Sequence, residues 1–295
     1  MGVRNRARHL PHAPRIRHSV TLRYDLHCHS TCSDGVLKPA EVVRRAAARG
    51  VDVLALTDHD ETSGLAEARG AAQAAGVRLI DGAELSVSWR DITLHVIALG
   101  IDPACAVLCE GLETIRSGRV HRAQRMGEEL AAAGIAGAYP GAMKFCASAR
   151  LVSRTHFARF LVEAGHARDT RDVFRRYLVR GKPGYVAHQW ATLAHAIGWI
   201  HAAGGQAVLA HPGRYEVHGK MRELLSEFRD TGGDAIEVVS GSHTPAQYTE
   251  FARYARVFGM LASSGSDFHG PGESWADLGD MPPLPAGVTP VWKDW

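Results

Sequence analysis

Residues 24–35 read YDLHCHSTCSDG, and this stretch places two imidazoles, two thiols and two carboxylates within one short segment. The short apolar start at 21–26 predicts a β-strand. Residues two apart in a strand project from the same face, so His27 and His29 would share one side if the strand continues past Leu26. They could then bind one cation together. Asp34 follows these histidines, at a tight turn that ends with Gly35.

The same arrangement recurs along the chain, with His, Asp or Glu set against or within a short apolar run. An isolated His-x-His pair is more often two surface histidines than a metal site. The recurrence favours a metal site. The further stretches are LALTDHDETSG (54–64), LIDGAELS (79–86), LHVIALG (94–100), AVLAHPGRY (207–215) and LASSGSDFHG (261–270).

The overall composition limits the kinds of partner that the chain could bind. With 34 basic and 31 acidic residues among 295, the net charge of +3 is too balanced to indicate nucleic-acid or membrane binding by bulk electrostatics. Residues 1–20 predict a disordered basic leader, which could contact RNA but is better interpreted as a solvated tail. No apolar run would span a bilayer, and no export signal is present. Five cysteines, an odd number, favour a reducing compartment, so we expect the cytoplasm.

Apolar runs and helical periodicity predict an α/β fold. Helices are expected at 37–50 and 65–75, and strands at 51–57, 77–80 and 92–99. This alternation indicates parallel pairing, with polar clusters at the carboxyl ends of the strands. Functional residues of such sheets and barrels usually lie at these ends. The pattern resumes with helices at 192–203, 220–231 and 245–258 and strands at 206–210, 235–239 and 260–264. The barrel would therefore comprise residues 21–104 and 186–295.

Residues 105–185 interrupt this alternation with Ala-rich and Arg-rich helical sequence. We expect a helical insertion domain, with Pro and Gly at 139–141 marking an internal turn. Most of its arginines would lie on a solvated helical face, and one or two could extend into the site.

The candidate ligands combine imidazoles and carboxylates without thiolates, which suits manganese, iron or zinc. Two or three adjacent cations could generate a hydroxide and hold the oxygens of a phosphoryl group. His95 lies inside an apolar run and is as plausible a buried core histidine as a ligand. Asp25, Asp58 and Asp60 are expected to orient neighbouring imidazoles. Core or surface positions are expected for His9, His12, His18, His121, His195, His201 and His218.

Taken in order, the motifs DLHCHSTCSDG, LTDHDETSGL, GAELS, LHVIALG, AHPGRY and GSDFHG resemble those of the PHP (polymerase and histidinol phosphatase) family of metallophosphoesterases. The resemblance implies a distorted barrel of seven strands, (β/α)7, with three metal ions at the strand ends. One ion would be held by His27, His29, Glu84 and Asp267. Glu84 would bridge to a second ion at His95 and His211, and the third would lie at Asp34, His59 and His269.

Within the family, SRTHFARFLV (153–162), GKPGYV (181–186) and SDFHGPGESWADLG (266–279) look like the branch of 3',5'-nucleoside bisphosphate phosphatases, which also trims 5'-phosphorylated RNA ends as a 5'-to-3' exoribonuclease. In that branch a hydroxide bridging two metals attacks phosphorus, and arginines of the insertion hold the substrate phosphates. The resemblance implies Arg154 as the first candidate for phosphate binding, with His156 beside it. Further candidates are Arg180, Lys182 and Arg214.

The sequence therefore predicts a metal-dependent phosphoesterase, with manganese as the first candidate metal, acting on 3',5'-bisphosphonucleotides or short 5'-phosphorylated RNA. His59 and Asp267 are the expected catalytic residues, and His243 is a candidate general acid. One alternative is another PHP activity, such as histidinol-phosphate hydrolysis. A diesterase with a long nucleic-acid groove is disfavoured by the charge balance and the lack of aromatic runs. A non-catalytic metal-binding module would need fewer ligands than the nine found here.

Overall fold

The computed structural model describes residues 22–217 and 219–295. The predicted leader at 1–20 and the positions of His9, His12, His18 and His218 lie outside the described residues. Within the described ranges, no helix is both long and apolar enough to cross a membrane. The expected location in the cytoplasm stays a prediction.

The described residues form a seven-stranded sheet whose spatial order follows the chain. Its strands are β1 (Tyr24–Asp25), β2 (Val53–Leu56), β3 (Arg78–Trp89), β4 (Ile92–Leu99), β5 (Gln206–Leu209), β6 (Ala235–Ser240) and β7 (Leu261–Gly265). The last strand returns to the first, because the amide of Leu26 donates to the carbonyl of Ser264 at 3.0 Å. The sheet is thus a nearly closed barrel, which confirms the predicted distorted (β/α)7 architecture.

Strand β4 departs from the expected parallel pairing. It runs antiparallel to both β3 and β5, whereas the other neighbouring strands pair in parallel. The expectation is wrong here because β3 continues for 12 residues to Trp89 and turns back into Ile92 through Arg90 and Asp91. A two-residue connection of this kind produces a hairpin, and the positive φ of 55° at Arg90 suits its turn. Glu84 therefore lies within a strand and not beyond its end.

Helices pack around the barrel between the strands. They are α1 (Pro39–Ala48), α2 (Leu65–Ala75), α7 (Leu193–Ala202), α8 (Met221–Asp230) and α9 (Pro245–Phe258). The bounds of α9 match the prediction because both ends carry strong signals. Thr244, which precedes Pro245, forms a capping box with Gln247, and Gly259 adopts a left-handed conformation after the last turn.

The segment between β4 and β5 is helical, with α3 (Ala106–Ala132), α4 (Ala138–Met143), α5 (Arg154–Glu163) and α6 (Thr170–Val173), which continues as a π-helical turn at Phe174–Leu178. The turn predicted at 139–141 is wrong, because these residues lie in α4, where Pro140 occupies the first turn and loses no helical hydrogen bond. The chain reverses earlier, at Gly134 and Gly137, which both have positive φ. An apolar cluster including Leu130, Phe157 and Leu178 packs within this segment. The exact domain borders stay a prediction.

The end of the chain packs against the amino-terminal side of the barrel. Val291 donates its amide to Ala262 and joins the buried apolar cluster of the barrel interior. Trp292 stacks on Tyr24 with ring centroids 4.1 Å apart. With this end filled by apolar side chains, the buried polar groups collect toward the carboxyl ends of the strands.

Candidate metal centre

The His-x-His pair lies just beyond β1. The chain remains extended there, and the amide of His29 donates to the carbonyl of Phe268 at 2.8 Å. The two Nε2 atoms of His27 and His29 are 3.1 Å apart, and both side chains are fully buried. Oδ1 of Asp267 lies 3.4 Å from the first and 3.3 Å from the second. Three ligand atoms thus converge on one point, although the regular strand ends before them.

Glu84 lies at the centre of the site, and its two oxygens face different histidines. Its Oε1 is 3.0 Å from Nδ1 of His95 and 3.1 Å from Nε2 of His211. Its Oε2 is 2.9 Å from Nδ1 of His59 and 3.3 Å from Nε2 of His27. A carboxylate placed in this way could bridge two cations.

Asp34 organises a further group of ligands. Its Oδ1 lies 3.3 Å from Nε2 of His269 and 3.8 Å from Nε2 of His59. Its Oδ2 accepts a hydrogen bond of 2.9 Å from the hydroxyl of Ser153, the N-cap residue of α5. The helical segment between β4 and β5 therefore fixes one carboxylate of the site.

The donor set fits divalent cations. Among the described residues, Asp34 Oδ1, Glu84 Oε2, His59 Nδ1 and His95 Nδ1 are buried without a hydrogen-bond partner, an arrangement that costs free energy unless another ligand satisfies them. Four overlapping groups could each hold a metal ion, with ligand atoms within 4.8 Å of one another. Together they contain His27, His29, Asp34, His59, Glu84, His95, His211, Asp267 and His269.

The electrostatics of the site also favour cations. Burial opposes ionisation of Asp34, but the imidazoles of His59 and His269 hold the pKa of its carboxyl well below the usual range. Burial likewise opposes ionisation of Glu84, and His95 and His59 hold its pKa well below the usual range. These carboxylates stay anionic across the physiological pH range. Imidazoles must be neutral to bind a metal, so metal binding would release protons.

A cavity of about 80 Å³ lies over the ligands and is lined by four arginines, Arg119, Arg122, Arg154 and Arg214. Two of them pair with carboxylates: Nε of Arg119 lies 2.9 Å from Asp60, and Nη1 of Arg214 lies 2.8 Å from Asp267. The other two form no ion pair with a carboxylate in the part of the chain that the structure describes. The cavity therefore combines a cluster of metal-type ligands with unpaired guanidinium groups.

The two unpaired arginines repel each other. Burial, followed by the charges of Arg154 and Arg119, lowers the pKa of Arg122 to about 9. Burial and the charge of Arg214 also lower the pKa of Arg154, whose guanidinium lies over the ring of Phe174. An anion bound between these groups would relieve the repulsion and accept their forked hydrogen bonds.

The sequence model of the PHP domain matches residues 25–240, well over half of the chain. The chain belongs to the PHP domain family. This membership confirms the family that the motifs predicted.

Characterised relatives agree over nearly the full length of the chain. It is 54% identical over 271 residues to a 3',5'-nucleoside bisphosphate phosphatase of Chromobacterium violaceum, covering 92% of this chain and 95% of the relative. It is 46% identical over 275 residues to the 5'-3' exoribonuclease Rnm of Escherichia coli, covering 92% and 93%. A solved structure of an amidohydrolase from Chromobacterium violaceum, with bound sulfate and no metal, superposes with a TM-score of 0.89 at 53% identity, covering 92% and 95%. These relatives confirm the predicted branch of the PHP family and the prediction of a hydrolase.

The structure brings the nine predicted PHP ligands together, and His95, which periodicity left open, is among them. Arg154 and Arg214 line the cavity as well. By contrast, Arg180 is exposed and pairs with Asp91 at 2.5 Å. Lys182 is exposed and does not line the cavity.

Two predicted histidines point away from the cavity. His156, at the third position of α5, accepts the amide of Ser153 on Nδ1, because its ring folds back over the helix start. Burial lowers the pKa of His156 to about 4, so the ring is neutral. His243 has Nε2 3.0 Å from the amide of Gly213 and Nδ1 3.2 Å from the carbonyl of Val238, so both ring nitrogens bind backbone. Neither ring lines the cavity, and the predicted roles of both histidines stay predictions.

The prediction that three aspartates orient imidazoles is wrong. Asp25 accepts the amides of Ser266 and Gly279. Asp58 accepts the amide and hydroxyl of Ser30 and so shapes the loop before Asp34. Asp60 accepts the amide of Ser86 and pairs with Arg119. Such short polar side chains readily bond to nearby backbone, and here they hold loops in place.

The residue that orients an imidazole is Glu237, which the sequence analysis missed. Its Oε1 is 3.0 Å from Nδ1 of His27, and its Oε2 accepts the amide of His211. A carboxylate inside the apolar strand AIEVVS was the available signal, since buried charges are rare without a partner. Arg119, Arg122 and Ser153 were also missed, and no pattern distinguished these arginines from solvated ones. His121, His195 and His201 are exposed, as expected.

Proposed function

We propose that this chain is a metal-dependent phosphoesterase that hydrolyses 3',5'-bisphosphonucleotides and short 5'-phosphorylated oligoribonucleotides. One observation carries the proposal: two arginines without carboxylate partners, the buried Arg122 and the partly buried Arg154, line the same cavity as the cluster of metal-type ligands. The names of the two relatives supply the substrate class, a nucleoside bisphosphate in one and RNA in the other.

Three divalent ions are the proposed complement. The first would be held by His27, His29, Asp267 and Glu84. The second would be held by Glu84, His95 and His211, and the third by Asp34, His59 and His269. Oε1 of Glu84 faces His95 and His211, and its Oε2 lies 3.3 Å from Nε2 of both His27 and His29, which supports the bridging role.

Manganese is the first candidate because the set mixes nitrogen and oxygen donors without thiolates, and iron or zinc would also fit. When bound, such ions would supply an activated water and positive charge at the phosphoryl group. His59 and Asp267 line the cavity, so they are proposed to act at the reaction centre as well as to hold metal.

The arginines are proposed to hold the phosphate that is to be cleaved. A cavity of about 80 Å³ accommodates a phosphoryl group but not a nucleoside, so the rest of the substrate must lie outside it. Arg122 and Arg154 are free of competing carboxylates and would bind the equatorial oxygens. Arg214 is half-exposed at the mouth, where it pairs with Asp267 and limits the access of bulk water.

The test, in manganese buffer, measures phosphate release from adenosine 3',5'-bisphosphate and from histidinol phosphate, and release of nucleoside 5'-monophosphate from a short 5'-phosphorylated RNA. We expect both nucleotide substrates to exceed histidinol phosphate in kcat/KM by at least a hundredfold. Preference for histidinol phosphate would overturn the substrate assignment and leave the PHP phosphatase class standing. If a fully metal-loaded protein hydrolysed none of the three, a non-catalytic metal-binding module would become the better account.

A further inference from the structure

Two clefts leave the cavity and offer alternative places for the nucleoside. The first, of about 250 Å³, extends past His95 and is lined by Asp91, Thr93, Arg180, Tyr185, Tyr215 and Glu216. The second, of about 420 Å³, extends past Asp267 and His269 and is lined by Thr155, Thr170, Arg171, Ser242 and Trp275. We refer to the second as the Trp275 cleft.

The carboxylates of the two clefts have different partners. In the first, Asp91 pairs with Arg180, but Glu216 forms no ion pair among the described residues and would repel an oligonucleotide backbone. In the Trp275 cleft, Glu273 is the carboxylate beyond the metal ligands, and Arg159 neutralises it with Nη2 2.7 Å from Oε2. The Trp275 cleft is also the larger, and it falls in the size range of small-ligand sites.

Trp275 has the environment of a stacking surface. It is 66% exposed, and it is the one exposed residue among the Phe, Tyr and Trp side chains of the described ranges. The guanidinium carbon of Arg171 lies 3.5 Å from the centre of one face of its ring. The arginine thus supports one face of the indole and leaves much of the remaining surface open. An exposed indole beside a cationic side chain offers an aromatic face on which a base can stack.

The loop that carries Trp275 is held in a fixed relation to the metal ligands. Arg159 of α5 binds Glu273 and also donates to the carbonyl of Asp34 at 2.6 Å. The hydroxyl of Ser274 accepts the amide of His269 at 2.7 Å. The two residues before Trp275 are therefore tied to metal-type ligands, Glu273 through Arg159 and Ser274 directly. A platform built in this way loses little conformational entropy when it binds.

We infer that Trp275, supported by Arg171, is the platform on which a nucleobase of the substrate stacks while its phosphate occupies the arginine-lined cavity. This inference rests on the proposed nucleotide substrate and names the part of the protein that recognises the base. The flat faces of all four bases stack on an indole with similar strength, so the platform selects nucleotides without selecting sequence. The charge of Arg171 adds attraction for a phosphate that follows the base.

The experiment compares wild type, Trp275→Leu and Trp275→Phe on adenosine 3',5'-bisphosphate and on a base-free ribose 3,5-bisphosphate. For Trp275→Leu we expect KM for the nucleotide to rise at least tenfold, with KM for the base-free compound unchanged, while Trp275→Phe retains most of the wild-type preference. Trp295→Leu, at the other end of the barrel, is the matched control. If Trp275→Leu and the wild type showed the same ratio of KM values for the nucleotide and the base-free compound, the platform would be overturned and the proposed activity would stand.

A binding measurement decides the matter independently of turnover. Adenosine monophosphate is titrated without metal while tryptophan fluorescence is followed in wild type and Trp275→Phe, whose folding is verified by circular dichroism. Quenching that is lost in Trp275→Phe supports the platform even if the wild type hydrolyses none of the assayed phosphates. Quenching of equal size in both proteins overturns it. The failure of the platform and the failure of the proposed activity thus give different results.

Discussion

The hydroxyl of Ser153 donates to Oδ2 of Asp34 at 2.9 Å, so a residue of the helical segment fixes the orientation of a carboxylate in the barrel. The other oxygen of Asp34 is left without a hydrogen-bond partner and faces His269. The helical segment is therefore part of the construction of the metal centre as well as a wall of the substrate cavity.

Removing this hydroxyl should weaken metal binding at the Asp34 group. For Ser153→Ala we expect a loss of about 10- to 100-fold in affinity for the weakest-bound manganese, because the carboxylate is then free to rotate. Isothermal titration and metal analysis after dialysis would measure it. Ser153→Thr keeps the hydroxyl and should bind as the wild type does. Ser148→Ala, which removes another N-cap serine, controls for lost capping. Wild-type affinity in Ser153→Ala would contradict the positioning role.

The Glu237 carboxylate should act on the opposite side of the centre. Because it contacts Nδ1 of His27 and the amide of His211, Glu237→Gln should lower manganese affinity by about 10- to 100-fold. The measurement is bound metal per chain at graded manganese concentrations. Asp234→Asn, which alters a carboxylate of the sheet away from the cavity, is the matched control. Identical occupancy curves for Glu237→Gln and wild type would count against this role.

Arg154 should contribute to phosphate binding without affecting the metals. Arg154→Gln removes a charged hydrogen-bond donor, which should lower kcat/KM for adenosine 3',5'-bisphosphate roughly tenfold to a hundredfold. Metal content should equal that of the wild type. Arg175→Gln alters an exposed arginine of the same helical segment and should change neither quantity. A variant at Arg154 with wild-type kinetics would remove it from the substrate site.

His156 should make stability depend on pH. Burial lowers its pKa from 6.5 to about 4, so the unfolded chain binds more protons than the folded one between these values. This titration does not lower the free energy of unfolding above pH 6.5. As the pH falls from 6.5 toward about 4, it lowers the free energy of unfolding by about 3 kcal/mol.

The variant His156→Gln separates this titration from the capping role of the side chain, because glutamine also suits this position of a capping box. Urea unfolding at pH 7 and pH 5 should show a smaller difference in unfolding free energy in the variant than in the wild type. The exposed His195→Gln should leave the difference unchanged. Equal differences in His156→Gln and wild type would show that His156 titrates normally.

The alternation of strands and helices could be predicted because its signals are local, whereas the seven-stranded barrel and the full ligand set came from the resemblance to the PHP motifs. Apolar runs that end in His or Asp mark strand ends, and the capping box and glycine around α9 define its bounds. Glu84 shows the limit of such signals. The sequence placed it beyond a four-residue strand, but the hairpin through Arg90 extends β3 past it, and pairing between strands determines that length.

The phosphate-binding residues could not be separated from other arginines by pattern. Arg119, Arg122 and Arg125 follow one another along α3 at helical spacing, yet two are buried over the site and one is exposed, because other elements cover only one side of the helix. His156 and His243 show a related limit. Sequence position placed them near the site, but a backbone amide donates to one ring nitrogen of each. Such contacts depend on the direction of a side chain, which only the folded structure determines.

Strands β4 and β5 pair directly with each other, with Val96 opposite Leu209, even though the whole helical segment separates them in sequence. The hydrogen-bonded wall of the barrel is therefore complete beneath that segment. In evolutionary terms the segment could be exchanged without breaking the strand pairing, so that the substrate changed while the cluster of metal-type ligands stayed in the barrel. A replacement segment would have to restore the hydrogen bond to Asp34 and the ion pair with Asp60.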